Sequence, residues 1–147
     1  LETVAMAYDI ALDVALERSQ KLLKLFRLED KLDWFPVNFS KGMKQKVMII
    51  CAFIVEPRLL IVDEPFLGLD PLAINDLTAL LEEEKAKGTS ILMSTHVLDS
   101  AQKMCDSFVI LHKGQIRAQG TLADLRASFG QADADLNDIY MDLTKEG

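Results

Sequence analysis

The feature that most constrains the fold of this 147-residue chain is a short apolar run that ends in two adjacent carboxylates. Residues 59–62 read LLIV, and Asp63, Glu64 and Pro65 follow directly. A continuous apolar run is typical of a strand that is covered on both faces of a parallel sheet. Residues 91–93 (ILM) form a second such run. The two runs predict neighbouring strands of an α/β fold.

The segment between these strands carries the start and stop signals of a helix. Asp70 offers an N-cap, and Pro71 suits the first helical position. Lys85 and Lys87 supply a cationic last turn, and Gly88 supplies the stop. The unit is therefore predicted to be strand, helix, strand.

Helical periodicity dominates the residues before the first strand. Residues 4–26 predict one long helix or two short ones, and residues 30–38 predict a loop because Pro36 disfavours helix at the residue before it. Ser40 predicts the N-cap of a further helix, which should run into the core because residues 47–55 are apolar all round. One face of that helix collects Met43, Val47, Ile50, Cys51 and Ile54.

The residues after His96 predict a small α/β region. A brief helix over 98–105 leads to strand 108–111, and Lys113-Gly114 predicts a tight turn into strand 115–118 of an antiparallel hairpin. Thr121 predicts the cap of a helix through Leu125. A last amphipathic helix is marked by Leu136, Ile139, Tyr140 and Leu143.

Charge and composition exclude several classes of protein. The formal charge of −7 argues against a duplex nucleic-acid binder, which draws much of its affinity from a positive field, and no nucleic-acid partner is expected. The longest apolar run, residues 47–55, has nine residues, and a membrane-spanning helix needs about 20. Cys51 and Cys105 lie in apolar helical patterns and are predicted to be reduced core residues of a cytoplasmic protein.

Asp63 and Glu64 are the first candidates for chemistry, because ligands of open α/β sheets bind at the carboxyl ends of the strands. Phosphoryl transfer needs a carboxylate that holds Mg²⁺ and a second group that orients and deprotonates the attacking water. The pair suits these two tasks. The alternative is an ordinary acidic loop after a strand, and the motif alone leaves both interpretations open.

Two further segments are weaker candidates. At Ser40, Lys41 and Gly42, the helix start, a hydroxyl and a lysine would converge on an anion, although an ordinary serine cap with a solvated face of Lys41, Lys44 and Lys46 is favoured for this segment alone. His96 follows the second strand and would donate a hydrogen bond to a phosphate oxygen, or it caps or packs at the junction. His112 is interpreted as structural.

Taken together, four segments resemble the ATPase subunits of ABC transporters in order and spacing. They are residues 39–45 (FSKGMKQ), 59–65 (LLIVDEP), 67–71 (LGLDP) and 94–96 (STH). The resemblance implies a P-loop NTPase (RecA-like) α/β fold with a helical subdomain, ATP as substrate and Mg²⁺ as cofactor. It assigns nucleotide binding to Ser40, Lys41 and Gly42 of the signature motif and to Asp70 of the D-loop, Mg²⁺ binding to Asp63 of Walker B, and catalysis to Glu64 and the switch residue His96.

The sequence departs from the family pattern in two respects. The signature carries Phe39, Lys41 and Met43 where the usual motif reads Leu-Ser-Gly-Gly-Gln, and this lysine form is similar to Ecs-type and related exporter ATPases. The pattern Gly-x-x-x-x-Gly-Lys-Ser/Thr does not occur. The chain is thus expected to be the C-terminal portion of a truncated domain that lacks the Walker A strand and loop. Its parts would be a helical subdomain (1–56), a partial RecA-like core (57–130) and a C-terminal helix (131–147).

The resemblance also implies partners. The signature of one subunit closes over ATP held by a second ABC ATPase subunit, and a membrane-embedded permease would be driven from its cytoplasmic face. The short tail after Leu125 favours export. The alternatives are a ribosome-associated or a DNA-maintenance ATPase of the same superfamily. Without the phosphate-loop strand, the strand ending at Ser94 would have an unpaired apolar edge that promotes self-association.

The missing phosphate loop leads to a prediction for the 147 residues alone. Losing about four phosphate hydrogen bonds, each of about 1.5–3 kcal/mol, weakens nucleotide binding by at least ~10⁴-fold. Titration calorimetry should therefore detect neither tight Mg-ATP binding nor heat from hydrolysis. A micromolar dissociation constant would contradict this expectation.

Overall fold

The computed structural model describes residues 1–130 and 132–145, which fall into two compact units, residues 1–94 and the residues from Thr95 onward. The three-part division predicted from the sequence stays a prediction. Its last segment, 131–147, begins and ends at residues outside those described.

The first unit consists of four helices and two strands. The helices are α1 (Glu2–Ala7), α2 (Leu12–Leu25), α3 (Lys41–Phe53) and α4 (Pro71–Ala86), and the strands are β1 (Leu59–Asp63) and β2 (Ser90–Ser94). Helices α1 and α2 show that residues 4–26 contain two helices rather than one long helix. The segment predicted as a loop contains two single turns of 3₁₀ helix, Glu29–Lys31 and Pro36–Asn38.

Strands β1 and β2 run parallel, and α4 connects them. The register pairs Leu59 with Ser90 at one end and Asp63 with Ser94 at the other. Helix α4 begins as predicted, because the side chain of Asp70 accepts a hydrogen bond from the N–H of Ala73 at 2.8 Å. This cap holds the start of the connecting helix just beyond the loop that follows β1.

The core of this unit lies between the helices and one face of the strands. Its largest fully buried side chains are Phe26, Ile50, Ile54 and Leu77.

The prediction that the strands are covered on both faces is wrong for the described part of the chain. Leu60 is buried, whereas Ile61 is 68% and Leu92 is 60% exposed. Because successive side chains of a strand point to opposite faces, a layer on one face leaves Ile61 uncovered. The all-round burial predicted for the end of α3 is also wrong at Met48, which is exposed.

The second unit consists of three helices and a hairpin. They are α5 (Leu98–Met104), β3 (Phe108–His112), β4 (Gln115–Gly120), α6 (Leu122–Phe129) and α7 (Leu136–Lys145). Strands β3 and β4 pair antiparallel around a two-residue turn, as predicted. Lys113 and Gly114 have φ of 49° and 75°, and hairpin turns that match strand twist need such positive values.

Capping and apolar packing hold this unit together. The hydroxyl of Thr121 accepts the N–H of Asp124, and the Asp124 carboxylate accepts the N–H of Thr121 in return, which completes a capping box. Helix α6 runs four residues beyond the predicted end at Leu125. The buried core contains Ala101, Ile110, Leu125, Ala134, Leu136, Ile139 and Leu143.

The helices described in both units are too short or too polar to span a bilayer.

The exposed face of the β1–β2 sheet leads to a prediction. We expect the 147-residue chain to self-associate through this face, and Ile61→Lys with Leu92→Lys to shift it toward monomer in light scattering, because lysine blocks apolar sheet contacts. Leu12→Lys with Met141→Lys makes the same charge change at exposed helical positions and should leave the association unchanged. A monomeric wild-type chain would contradict the prediction.

Candidate functional site

The carboxyl ends of β1 and β2 bring the first candidate residues together. The hydroxyl of Ser94 donates a hydrogen bond to Oδ1 of Asp63, its partner in the strand register. Both residues are exposed. Asp63 is therefore presented at the sheet edge with one carboxylate oxygen fixed, as parallel pairing predicts. Ser94 had no assigned role in the sequence analysis, although it follows the second apolar run as Asp63 follows the first.

Glu64 occupies an unusual backbone conformation directly after β1. Its φ is 45°, in the left-handed region that non-glycine residues rarely adopt. The N–H of Glu64 donates to the carbonyl of Ser94 at 2.9 Å, so the turn is bonded to the neighbouring strand. Such a conformation costs on the order of 1–3 kcal/mol and persists only where surrounding contacts enforce it.

The edge fits a magnesium ion that is shared with a phosphate. Mg²⁺ is usually held by one or two carboxylates, with water and phosphate oxygens in the remaining positions. Asp63 supplies one such carboxylate. Within residues 1–130 and 132–145, no group of three or more acidic, histidine or cysteine side chains is arranged to hold a metal ion alone. Other oxygens would have to complete the coordination.

The start of α3 has the predicted cap. Oγ of Ser40 accepts the N–H of Met43 at 3.2 Å, and the Ser40 carbonyl accepts the N–H of Lys44 at 3.0 Å. The hydroxyl proton of Ser40 can still be donated to an anion. The first turn of α3 thus keeps the hydrogen-bonding chemistry that a helix N-terminus offers to a phosphate.

The first turn of α3 lies directly against the loop that follows Glu64. A Cβ on Gly42 would be 2.7 Å from the carbonyl oxygen of Gly68, so the two backbones approach more closely than any other residue permits. Side-chain carbons of Lys41 would lie 3.6–3.8 Å from a Cβ on Gly68. The structure thus places the residues predicted to form the signature motif beside the segment predicted to be the D-loop.

The next turn of α3 binds the same loop through polar groups. Nε2 of Gln45 donates to the carbonyl of Pro65 at 3.3 Å. Nζ of Lys46 lies 3.1 Å from Oδ2 of Asp70. The side chain of Lys46 is only 13% exposed. Lys46 is therefore not part of the solvated lysine face that was predicted for Lys41, Lys44 and Lys46. Gly42 and Lys46 are four residues apart and therefore lie on one face of α3. This spacing is the sequence feature that could have identified Lys46 as a contact of the loop.

Both carboxylate oxygens of Asp70 are engaged within the chain. Oδ1 accepts the N–H of Ala73, and Oδ2 contacts Lys46. The Ala73 N–H first, and then the Lys46 ammonium, hold the pKa of Asp70 below its ordinary value. In this structure Asp70 fixes the loop and the start of α4, and its predicted contact with nucleotide stays a prediction.

The two histidines belong to the second unit. His96 is exposed at the start of this unit and lines a shallow depression of about 370 Å³ with Val97, Leu98, Asp99 and Asn137. His112 ends β3, and its Nε2 is buried without a hydrogen-bond partner among the described residues. The role predicted for His96 stays a prediction.

A cleft of the first unit, about 480 Å³ in volume, lies apart from the predicted site residues and is lined mainly by residues of α2, α4 and the end of α3. Its charged groups bind one another. Arg18 pairs with Glu56 at 2.6 Å, and Arg27 pairs with Asp76 at 2.8 Å. We therefore interpret this cleft as a structural ion-pair network rather than a ligand site.

Comparison with known proteins supports the family that the sequence motifs indicate, the ATPase subunits of ABC transporters. Residues 10–97 match the family model described as "AAA domain, putative AbiEii toxin, Type IV TA system". The ABC-type transporter ATP-binding protein EcsA of Bacillus subtilis (strain 168) is 59% identical over 146 residues. An uncharacterized ABC transporter ATP-binding protein of the same organism, YthP, is 41% identical over 140 residues.

The matches cover nearly all of this chain but only part of its relatives. Both Bacillus proteins are matched over 59% of their length. A solved structure described as the ATP-binding subunit of an ABC transporter superposes with a TM-score of 0.93 at 55% identity, over 97% of this chain and 59% of that one. The chain thus spans about three fifths of the proteins it matches.

The close approach of Gly42 to Gly68 gives a prediction for stability. Alanine is favoured over glycine inside a helix by about 0.5–1 kcal/mol, yet its Cβ at position 42 would collide with a backbone oxygen. We expect Gly42→Ala to lower the free energy of unfolding by about 1–3 kcal/mol in urea titrations. Lys44→Ala on the exposed side of α3 should have little effect, and a stabilised Gly42→Ala protein would contradict the observed contact.

The lowered pKa of Asp70 gives a second prediction. The unfolded chain binds a proton at Asp70 more readily than the folded chain, so the stability that the carboxylate contributes is present above about pH 4 and lost as the pH falls through the lowered pKa. Asp70→Asn keeps a capping side chain without the charge. Urea titrations should find the wild type more stable at pH 6, with a difference that shrinks below pH 4. A difference independent of pH would exclude the charge as its cause.

Proposed function

We propose that this chain, which belongs to the AAA-domain family and is a homologue of the ABC transporter ATP-binding proteins, is part of an ATP-hydrolysing subunit that powers transport through a separate membrane permease. The observation that carries the proposal is the edge of the β1–β2 sheet, where Asp63 and Ser94 end the two strands and Glu64 follows Asp63. The level of identity to EcsA supports the same proposal.

We assign roles in the proposed hydrolysis to Asp63 and Glu64 at this edge and to His96 of the second unit. Asp63 would hold Mg²⁺ through the carboxylate that Ser94 orients, and the ion would supply positive charge that neutralises phosphate oxygens. Glu64 orients the attacking water and accepts its proton. His96 donates a hydrogen bond to the γ-phosphate. The water oxygen then bonds to phosphorus as the bond to the ADP oxygen breaks.

The N-terminus of α3 would serve a second nucleotide. Ser40 offers a hydroxyl, Gly42 in the first turn offers a backbone N–H, and Lys41 offers a cation, so this surface suits the triphosphate held by a partner ATPase subunit. A dimer would therefore contain sites built from two chains. We propose that this dimer lies at the cytoplasmic face of the membrane, bound to its permease.

The lysine form of the signature, which is similar to Ecs-type and related exporter ATPases, supports export as the direction of transport. Names for both import and export occur among more distant relatives, so the direction rests on this feature. The transport proteins among the relatives favour this function over a ribosomal or DNA-maintenance role.

The role of Glu64 can be tested in the longer protein that we propose carries this chain. Glu64→Gln should bind ATP normally and slow turnover by about two orders of magnitude or more, because a general base contributes about 10²–10⁴-fold. Nucleotide binding and phosphate release are the measurements. Glu82→Gln, an exposed position on α4, is the control and should hydrolyse ATP at the wild-type rate. Undiminished turnover of Glu64→Gln would assign the base to another residue.

A further inference from the structure

Three contacts fasten α3 to the loop of residues 64–70, and we call them the α3–loop contact. Gly42 meets the Gly68 carbonyl, Gln45 binds the Pro65 carbonyl, and Lys46 pairs with Asp70. Gln45 and Lys46 lie three and four residues after Gly42, so both share a face of α3 with it. Their partners are spread from one end of the loop to the other. The helix therefore fixes the course of the whole loop.

The loop needs this support because of the conformation at its start. The left-handed φ of Glu64 is unfavourable by itself. On one side, the N–H of Glu64 is bonded to the carbonyl of Ser94 in β2. On the other side, the carbonyl of the next residue, Pro65, accepts the hydrogen bond of Gln45. Glu64 is thus held between the sheet and α3.

Lys46 is the strongest member of the α3–loop contact. Its side chain is 13% exposed, whereas the side chain of Asp70 is 57% exposed, so the carbon chain of Lys46 packs against the protein and its ammonium meets a carboxylate at the surface. The packed side chain leaves the ammonium little freedom, and Asp70 is its partner. Because Asp70 also caps α4, Lys46 connects the starts of two helices through one carboxylate.

We propose that Lys46, assisted by Gln45, is a positioning residue for ATP hydrolysis: it holds the loop that carries Glu64 against the helix that meets the partner's nucleotide. The proposal rests on the function proposed above. It assigns Lys46 no contact with nucleotide. When a partner subunit engages the N-terminus of α3, the loop and Glu64 move with that helix as one body.

Hydrogen exchange tests the structural half of the proposal without any catalytic activity. The amides of Glu64, Leu67 and Leu69 donate to backbone carbonyls within or beside the loop and report its opening. In Lys46→Met we expect them to exchange about 10-fold faster or more, while the amide of buried Leu77 in α4, which reports global unfolding, keeps its rate. Lys46→Arg should retain slow exchange. Lys44→Met, on the exposed side of α3, is the matched control.

Loop exchange that is unchanged in Lys46→Met would overturn the proposal. If Lys46→Met fails to fold, Gln45→Ala removes the weaker, neutral contact at Pro65 and should give the same selective acceleration. Acceleration of loop and Leu77 amides alike in Gln45→Ala would show a general loss of stability and would also overturn it.

Steady-state kinetics test the functional half in the longer protein. Lys46→Met should lower kcat about 10-fold with KM for ATP within about twofold, since a misplaced base affects the chemical step more than binding. Lys46→Arg should restore kcat. Equal kcat for Lys46→Met and Lys44→Met would overturn the positioning role. A wild-type protein that hydrolyses no ATP would instead overturn the proposed function, and hydrogen exchange would still decide whether Lys46 holds the loop.

Discussion

The structure of the candidate site depends on the last pair of residues in the β1–β2 ladder. Ser94 binds the acidic pair through two different atoms: its hydroxyl donates to Asp63, and its carbonyl accepts the N–H of Glu64. A single residue at the end of β2 thus orients one carboxylate and fixes the backbone turn that presents the other. Parallel pairing is what makes this possible, because it brings the carboxyl ends of both strands to the same edge.

The loop after Glu64 gains its shape from packing rather than from its own sequence. Phe66 is buried and anchors the middle of the loop, while Gly68, with φ of 78°, lets the chain pass beneath Lys41. Gly42 has a different role. Because it has no side chain, the loop can approach α3 closely at this position. A side chain at Gly42 would push the helix and the loop apart, whereas at Gly68 the positive φ, rather than lack of space, disfavours a side chain.

Local signals in the sequence predicted much of this molecule. The caps at Ser40, Asp70 and Thr121 and the Lys113-Gly114 turn follow from side-chain chemistry within three or four residues, and all are present. Burial could not be predicted in the same way. The apolar run of β1 predicts a strand, but exposure of Ile61 depends on which layers the rest of the chain supplies. The pairing of Lys46 with Asp70 likewise joins residues 24 apart, which no local pattern specifies.

The charges at the site bear on how a triphosphate would approach the acidic edge. Asp63 and Glu64 are adjacent carboxylates on an edge that should repel a triphosphate until a divalent cation intervenes. The nearby lysines do not cancel this repulsion, because Lys46 is already paired with Asp70 and Lys41 runs beside Gly68. Phosphate affinity must therefore come from cations and N–H groups outside the acidic edge. In the proposed hydrolysis, the edge would activate the attacking water once other groups had bound the phosphate.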